Sequence, residues 1–557
     1  LQHEQNHPTL SYTVTPIPET MLEYVWDYGN LDDETEKTYI RATLSTYECF
    51  SKNPDVLEVT IELVSESHKF LKQLEDVNSV SLRDIVRFAR LFQWFNAYLQ
   101  STQVDVKRIP KDSSRLALLL CYYFRLETRE HKEKYLNKLD EYLCEKYPHR
   151  ERMTFAKAFK QLLLREQTKL LNQLEKPVDM AFNQALRDNL FVLFPCIMNR
   201  IPVFLCGKPG ASKTSAVQIL MNNFKGSRSN KLLFRQYPEL VAVTFQGTQT
   251  CTSKNIEQIF ERANKFMQME TDSSILPVII FDEIGLAESS VHNPLKVLHG
   301  HLEIEECQFG FVGLSNWRLD AAKMNRALYI ACLDPDDTDL EETGKFLVEI
   351  NLKSHVKNRF DSNMIRNLSQ AYVDLQKRMS KEYQLENYFG LRDYYSLIKG
   401  IVADDQTYPA RMIFEIIYQQ LVMNFGGIHL GYEYMWEKFC TLMNRHKELI
   451  CAYPLPNPKE LIHRCLTNRN NRHLMLISDR ESTIDHIERY LITNSLSNYP
   501  VKTLVGSRFE GDFISKRTYT EAYSARILME IILLAETPIT LVVRHMDHLY
   551  DNLYDLF

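Results

Sequence analysis

Fourteen residues in the middle of the sequence, Ile201–Thr214 (IPVFLCGKPGASKT), restrict the fold more than any other stretch. Val203–Cys206 is a short apolar run that predicts a buried strand, and Ser215–Phe224 predicts a helix. Between them lie Gly207, Lys208, Pro209, Gly210, Ala211, Ser212, Lys213 and Thr214. A strand, a glycine-bearing turn and a helix opening on Lys-Thr make the Walker A arrangement. Backbone N–H groups of such a turn converge on phosphate oxygens, and the helix N-terminus adds the positive end of its dipole. Lys213 is expected on the β- and γ-phosphates and the Thr214 hydroxyl on Mg²⁺. Ser212 stands where a glycine is usual. If that position requires positive φ, serine carries a steric cost, although its hydroxyl can donate to a phosphate. Taken alone, the octapeptide also fits an ordinary strand-turn-helix, so the downstream residues decide.

Asp282 follows Lys213 by 69 residues, at the end of the apolar run Ile279-Ile280-Phe281. A buried strand ending in Asp282-Glu283 is a Walker B arrangement, with Asp282 on the metal and Glu283 polarising the attacking water. The bland alternative is an exposed acidic turn. A further strand, Phe309–Leu314, ends in Ser315-Asn316-Trp317. The Asn316 amide could sit between the two Walker motifs as a sensor, though asparagine at a strand end is often only turn chemistry. Arg326 precedes the last expected core strand and could reach a neighbouring module's nucleotide, or be a solvated surface arginine. Arg392 opens a helix and could touch a γ-phosphate; by itself it is unremarkable.

The chain's 557 residues call for several domains. Residues 1–176 begin with a proline-containing segment and then read as helices. Among them Ile85, Phe88, Phe92, Phe95 and Leu99 form one apolar stripe. Residues 177–345 alternate strand and helix as a parallel α/β sheet does, with strands at Val203–Cys206, Val241–Phe245, Val278–Phe281, Phe309–Leu314 and Tyr329–Cys332. Residues 346–453 are helical again. After Pro454, Pro456 and Pro458 a new α/β pattern starts over 454–557, with strands expected at His473–Ile477 and Ile539–Val543. There Ser478-Asp479-Arg480-Glu481-Ser482 occupies the place of a phosphate turn and Arg544-His545 that of the Walker B carboxylates, so no phosphate or metal site is expected. Ser81-Leu82-Arg83-Asp84 and Gly390-Leu391-Arg392-Asp393 each open an amphipathic helix after a long one, which suggests tandem modules.

A net charge of −6 argues against a general nucleic-acid surface. The nearest approach to a membrane span, Leu190–Cys206, is interrupted by Asn199 and Arg200. The eleven cysteines form no C-x-x-C pair, so no zinc module is expected here, and scattered free thiols suit a reducing compartment. The chain begins at Leu1 and reads as a piece of a longer protein.

The ordered set GKPGASKT, VIIFDEIGLAE, GLSNWRLDAAKMNRA and NYFGLRDYYSLIKG resembles an AAA+ module. In detail it resembles the mysterin family of giant AAA+ RING-finger ubiquitin ligases, most specifically over residues 181–330 and 388–402. That family's own pattern tolerates serine at the Ser212 position. The resemblance implies an α/β AAA+ P-loop core with a parallel sheet and helical lids, in tandem modules on one chain. The expected order is the lid of a preceding module, a complete ATPase module, and the start of a degenerate one. It implies ATP and Mg²⁺ as cofactors, neighbouring AAA+ modules and ubiquitin machinery as partners, and a cytoplasmic setting with possible membrane-surface or lipid-droplet association. Two other readings fit the residues: a motor or remodelling ATPase of dynein or midasin type, and a scaffold that holds ATP and barely hydrolyses it.

Overall fold

Apolar residues at helical spacing, started by short polar caps, build the N-terminal part of the chain. In the computed structural model these are α1 (Asp33–Ser45), α2 (Pro54–Leu74), α3 (Leu82–Thr102), α4 (Ile109–Leu118), α5 (Arg129–Lys146) and α6 (Phe155–Gln173). Asp32, Thr128 and Thr154 each accept a backbone N–H in the first turn of α1, α5 and α6. Proline opens α2, where its missing N–H costs nothing. Ile85, Phe88, Phe92, Phe95 and Leu99 are all buried, as the stripe predicts, and Phe92 stacks on Phe50 at 3.8 Å.

The structure describes residues 18–26, 31–75, 79–102, 105–147, 154–178, 180–269, 275–303, 307–352, 359–383, 385, 388–427, 429–445, 453–467, 473–489, 492, 499–506, 518–546, 549 and 553. The proline-containing start lies outside them. The chain divides into two units, Leu1–His355 with Asp361–Lys399, and Val356–Phe360 with Gly400–Phe557. The helical stretch expected over 346–453 is shared between them.

In the first unit, α7 (Gln184–Met198) leads into β1 (Val203–Cys206) and α8 (Lys213–Asn223). Then follow β2 (Glu239–Gln246), α9 (Ser253–Met269), β3 (Ile275–Asp282), α10 (Ile284–Glu288), β4 (Gly310–Ser315) and β5 (Leu328–Ala331). The five strands run parallel in the order β2-β3-β4-β1-β5. Helices cover such a sheet on both faces, which is why β1, β4 and β5 are mostly apolar and buried along their whole length. All five strands lie where the sequence pattern puts them, to within two or three residues at each end. The carboxyl ends of β1, β3 and β4 come together, where open α/β sheets place their ligands. The N-terminal helices close on the sheet edge: the Ala331 amide donates to the Phe124 carbonyl at 2.9 Å, and Arg87 to the Asn325 carbonyl at 2.9 Å.

α11 (Asp337–Asn351), α12 (Ser362–Tyr383) and α13 (Leu391–Thr407) follow the sheet. The suspected repeat has a physical basis. The Ser81 amide donates to Asp84 at 2.9 Å, and the Gly390 amide to Asp393 at 2.7 Å, so the same aspartate caps α3 and α13. The preceding helices α2 and α12 have 21 and 22 residues.

The second unit holds α14 (Ile413–Phe425), α15 (His429–Leu442), α16 (Pro458–Thr467), α17 (Glu481–His486), β6 (Val501–Val505), α18 (Thr518–Ala535) and β7 (Thr540–Arg544), with β6 and β7 parallel. The expected strand at Ile539–Val543 is β7. The expected strand at His473–Ile477 is not one: it is irregular, with Met475 and Ile477 exposed. In the first sheet the opening strand pairs with the fourth and fifth. The second unit offers no counterpart of either among its described residues, and residues 473–477 belong to neither described sheet.

A buried polar knot ties the N-terminal helices. Glu36 on α1 meets the His68 Nδ1 at 2.6 Å and the Lys72 ammonium at 2.7 Å, and His68 Nε2 faces the Tyr122 hydroxyl at 3.0 Å. Burial opposes ionisation of Glu36, but the hydrogen bonds from His68 and Lys72 outweigh it and hold the carboxyl at about 2. A folded-state value depressed below the usual 4.5 contributes stability above that pH and loses it as pH falls toward 2. Urea-denaturation midpoints should therefore fall between pH 5 and pH 3 (roughly the span that linkage sets), and Glu36→Gln should start lower and show a shallower fall.

Candidate functional site

The Walker turn bends because two of its residues take left-handed backbone. Gly210 has φ 90°, and Ser212 has φ 57°, so the position that glycine usually fills does require positive φ. Serine there costs about 1–3 kcal/mol of local strain. The turn is held from below by contacts that the sequence reading missed. Asn189, buried on α7, donates to the Ala211 carbonyl at 3.0 Å, and the Cys332 thiol donates to Asn189 Oδ1 at 3.2 Å. Burial pushes the Cys332 thiol up to about 11, so it stays a neutral donor. The only clue to Asn189 was an amide inside the apolar run NLFVLF.

Lys213 turns back over the loop. Its ammonium donates to the carbonyl oxygens of Gly207 and of Lys208 (3.1 Å), and to Asn316 Oδ1 at 3.0 Å. All three partners are neutral oxygens. Burial pulls the Lys213 pKa below the ordinary lysine value, and the nearby Glu283 and Asp282 carboxylates only partly offset the lost hydration. Asn316 uses its other end on Glu283: Nδ2 lies 2.8 and 2.9 Å from the two carboxylate oxygens. An ammonium on one side and a carboxylate on the other leave only this orientation of the amide. Glu283 follows β3 with φ 48°, and its amide donates to the Asp282 carboxylate at 2.9 Å. Lys213, Asn316 and Glu283 thus form one chain of contacts across the ends of β1, β4 and β3, beside Asp282. Thr214 is exposed in the first turn of α8.

The other two candidates stand elsewhere. Arg326 pairs with Glu303, which also meets Arg83 at 3.4 Å, among the N-terminal helices. Arg392 is exposed in the first turn of α13. Its neighbour Leu391 packs on the turn, where a Cβ added to Gly210 would lie 2.9 Å from the leucine's own Cβ. Lys208 points to Asp334, at 2.6 Å. A cavity of about 470 Å³ opens there, lined by Pro209, Tyr372, Val373, Phe389 and Leu391 along with Lys208 and several carboxylates.

Residues 179–339 match a family described as RNF213 AAA domain, and residues 463–557 match a second family of that description. Over 98% of its length the chain is 29% identical to E3 ubiquitin-protein ligase RNF213 of Homo sapiens and 28% identical to E3 ubiquitin-protein ligase rnf213-beta of Danio rerio. Over these residues the chain is similar to the AAA+ region of mysterin-type proteins. It spans 11% of the length of either relative.

The second AAA match repeats the backbone of the first with other chemistry. The Gly247 amide donates to the Asp282 carbonyl at 2.8 Å, and the Gly506 amide to the Arg544 carbonyl at 2.8 Å. His545 has φ 55° where Glu283 has 48°. Arg544 and His545 therefore occupy the Walker B positions. Arg544 pairs with Asp485 at 2.6 Å and Glu488 at 3.1 Å, and His545 with Glu481 at 2.7 Å. Arg544 ends the strand and carboxylates stand in the 481–488 segment, the reverse of the first unit, where Asp282 ends the strand.

Gly207 abuts Cys332: an added Cβ would lie 2.6 Å from the cysteine's Cβ and 2.9 Å from its carbonyl oxygen. Gly207→Ala should destabilise the first unit by about 1–3 kcal/mol through overpacking. Gly300→Ala, with nothing within 4 Å, should cost nothing; thermal denaturation of the two variants checks this.

Proposed function

We propose that the first unit binds ATP with Mg²⁺ at the Gly207–Thr214 turn and hydrolyses its terminal phosphate. The observation that carries this is the Lys213 ammonium, buried among neutral oxygens at a helix N-terminus that no side chain caps. The hydrogen-bond partners of this cation are all neutral, and a phosphate would supply an anion in direct contact. The residues present fit the nucleotide and its metal: Thr214 and Asp282 would hold Mg²⁺, which supplies positive charge to the phosphate oxygens. Glu283 would orient the water and accept its proton, with Asn316 holding the carboxylate in place. The apolar side of the adjoining cavity suits the base. Arg392, in the first turn of α13, would meet the terminal phosphate. Arg326, beside Arg83, would face the nucleotide of the module to which the N-terminal helices belong.

In this reading the second AAA match carries no nucleotide, because residues 478–482 offer no phosphate-binding lysine and Arg544, in the place of the metal-binding aspartate, is engaged by Asp485 and Glu488. Hydrolysis in the first unit would set the arrangement of AAA+ modules along one chain. The relatives are ubiquitin ligases by name, and this chain would serve such a ligase, with its transfer chemistry outside these residues. Among the described residues no helix is long and apolar enough to cross a membrane, and a cytoplasmic setting is part of the proposal.

Lys213→Ala should abolish nucleotide binding, measured by titration with a fluorescent ATP analogue. Glu283→Gln should keep the affinity and lose about 10²–10⁴ in phosphate release. Unchanged affinity in Lys213→Ala would exclude the phosphate site. Arg544→Ala should leave binding untouched and lower the melting of the second unit, seen as earlier protease cleavage within 454–557 on heating.

A further inference from the structure

Arg318 lies two residues beyond Asn316, at the end of the turn that follows β4. The turn is short and internally bonded: the Ser315 hydroxyl donates to the Trp317 carbonyl at 2.6 Å, and the Trp317 amide lies 3.3 Å from that hydroxyl oxygen. The Trp317 ring rests on Gly285, where an added Cβ would come within 2.6 Å of it. These bonds make Asn316, Trp317 and Arg318 one compact turn. Its far end is held largely from outside the sheet.

The Arg318 guanidinium pairs with Glu75 at 2.7 Å and with Glu127 at 3.3 Å, and lies over the Tyr329 ring at 5.1 Å. Glu75 follows α2, and Glu127 precedes α5, so both carboxylates belong to the N-terminal helices. They are themselves held: Arg125 shares Glu75 at 3.1 Å, and the Tyr329 hydroxyl donates to Glu127 at 2.8 Å. Glu75 is largely buried, with its side chain only 13% exposed. A two-carboxylate grip on one planar guanidinium fixes direction as well as distance.

We propose that Arg318 is a positioning residue for the reaction at the Lys213 site. It anchors the Asn316 turn to the N-terminal helices through Glu75 and Glu127, and so makes turnover depend on how those helices are held. The proposal rests on the hydrolytic reading above. Asn316 must reach the Lys213 ammonium and the Glu283 carboxylate at once, within 3.0 Å of each. A turn released at its Arg318 end satisfies both less often. A displacement of about 1 Å at a reacting group can lower a rate by about 10²-fold. The phosphate turn has supports of its own in Asn189 and Cys332, beside its bonds to Ser315 and Asn316, so nucleotide affinity falls less than the rate. The helices thereby act on catalysis more than on binding.

The test compares wild type, Arg318→Ala, Arg318→Lys, Glu75→Gln and the double variant Arg318→Ala/Glu75→Gln. Arg318→Ala should lower kcat by about 10- to 100-fold and leave the affinity for a fluorescent ATP analogue within about twofold. Arg318→Lys keeps one carboxylate contact and should recover part of the rate. The double variant should be no slower than Arg318→Ala, because the two side chains act through one another. Equal loss of affinity and rate, or additive losses, would overturn the proposal. A second readout needs no turnover. With 5-fluorotryptophan incorporated, the Trp317 resonance, assigned with Trp317→Phe, should shift or broaden in Arg318→Ala while those of Trp94 and Trp436 stay. An unmoved Trp317 signal would overturn the positioning role even if kcat falls. A wild-type chain that binds nucleotide without turnover would count against the hydrolytic reading alone, and the fluorine signal would still decide the role of Arg318.

Discussion

A lysine ammonium taken out of water needs compensation, and at Lys213 two carbonyls and an asparagine provide it only in part. The consequences run through the first unit. The turn must curl so that its carbonyls face the ammonium, which demands left-handed backbone at Gly210 and Ser212. The curl must be supported, which Asn189 and Cys332 do from α7 and the end of β5. Asn316 must present its oxygen, and that turns its amide nitrogen to Glu283. One buried charge therefore orders the ends of three strands.

Local patterns carried most of this into the sequence. The strand runs are apolar because a parallel sheet is covered on both faces, and their order around the two Walker motifs left little freedom of topology. Ser212 was legible as a question, since a non-glycine residue at a turn position invites the issue of φ; the structure answers with 57°. The repeated Leu-Arg-Asp reads as a helix start because the aspartate bonds back to the residue three before it, in both copies.

What stayed hidden is long-range. Asn189 acts on a residue 22 positions on, and Arg318 on Glu75, 243 positions away. Neither residue type nor spacing marks such pairs. Arg326 could be flagged as an arginine before a core strand, but its partner Glu303 emerges only once the sheet folds. His473–Ile477 failed for the opposite reason. Its residues favour a strand, and a strand still needs a neighbour to bond with.

The bend after β7 copies the bend after β3, down to the glycine whose missing Cβ lets the carbonyl of His545 or Glu283 come close. The same backbone bond closes both bends, with Asp282-Glu283 at one and Arg544-His545 at the other. A contour comparison of the two AAA matches would count two like corners, whereas an inventory of formal charges counts one acidic corner. Shape in this architecture is inherited by the main chain, and chemistry can be rewritten upon it residue by residue.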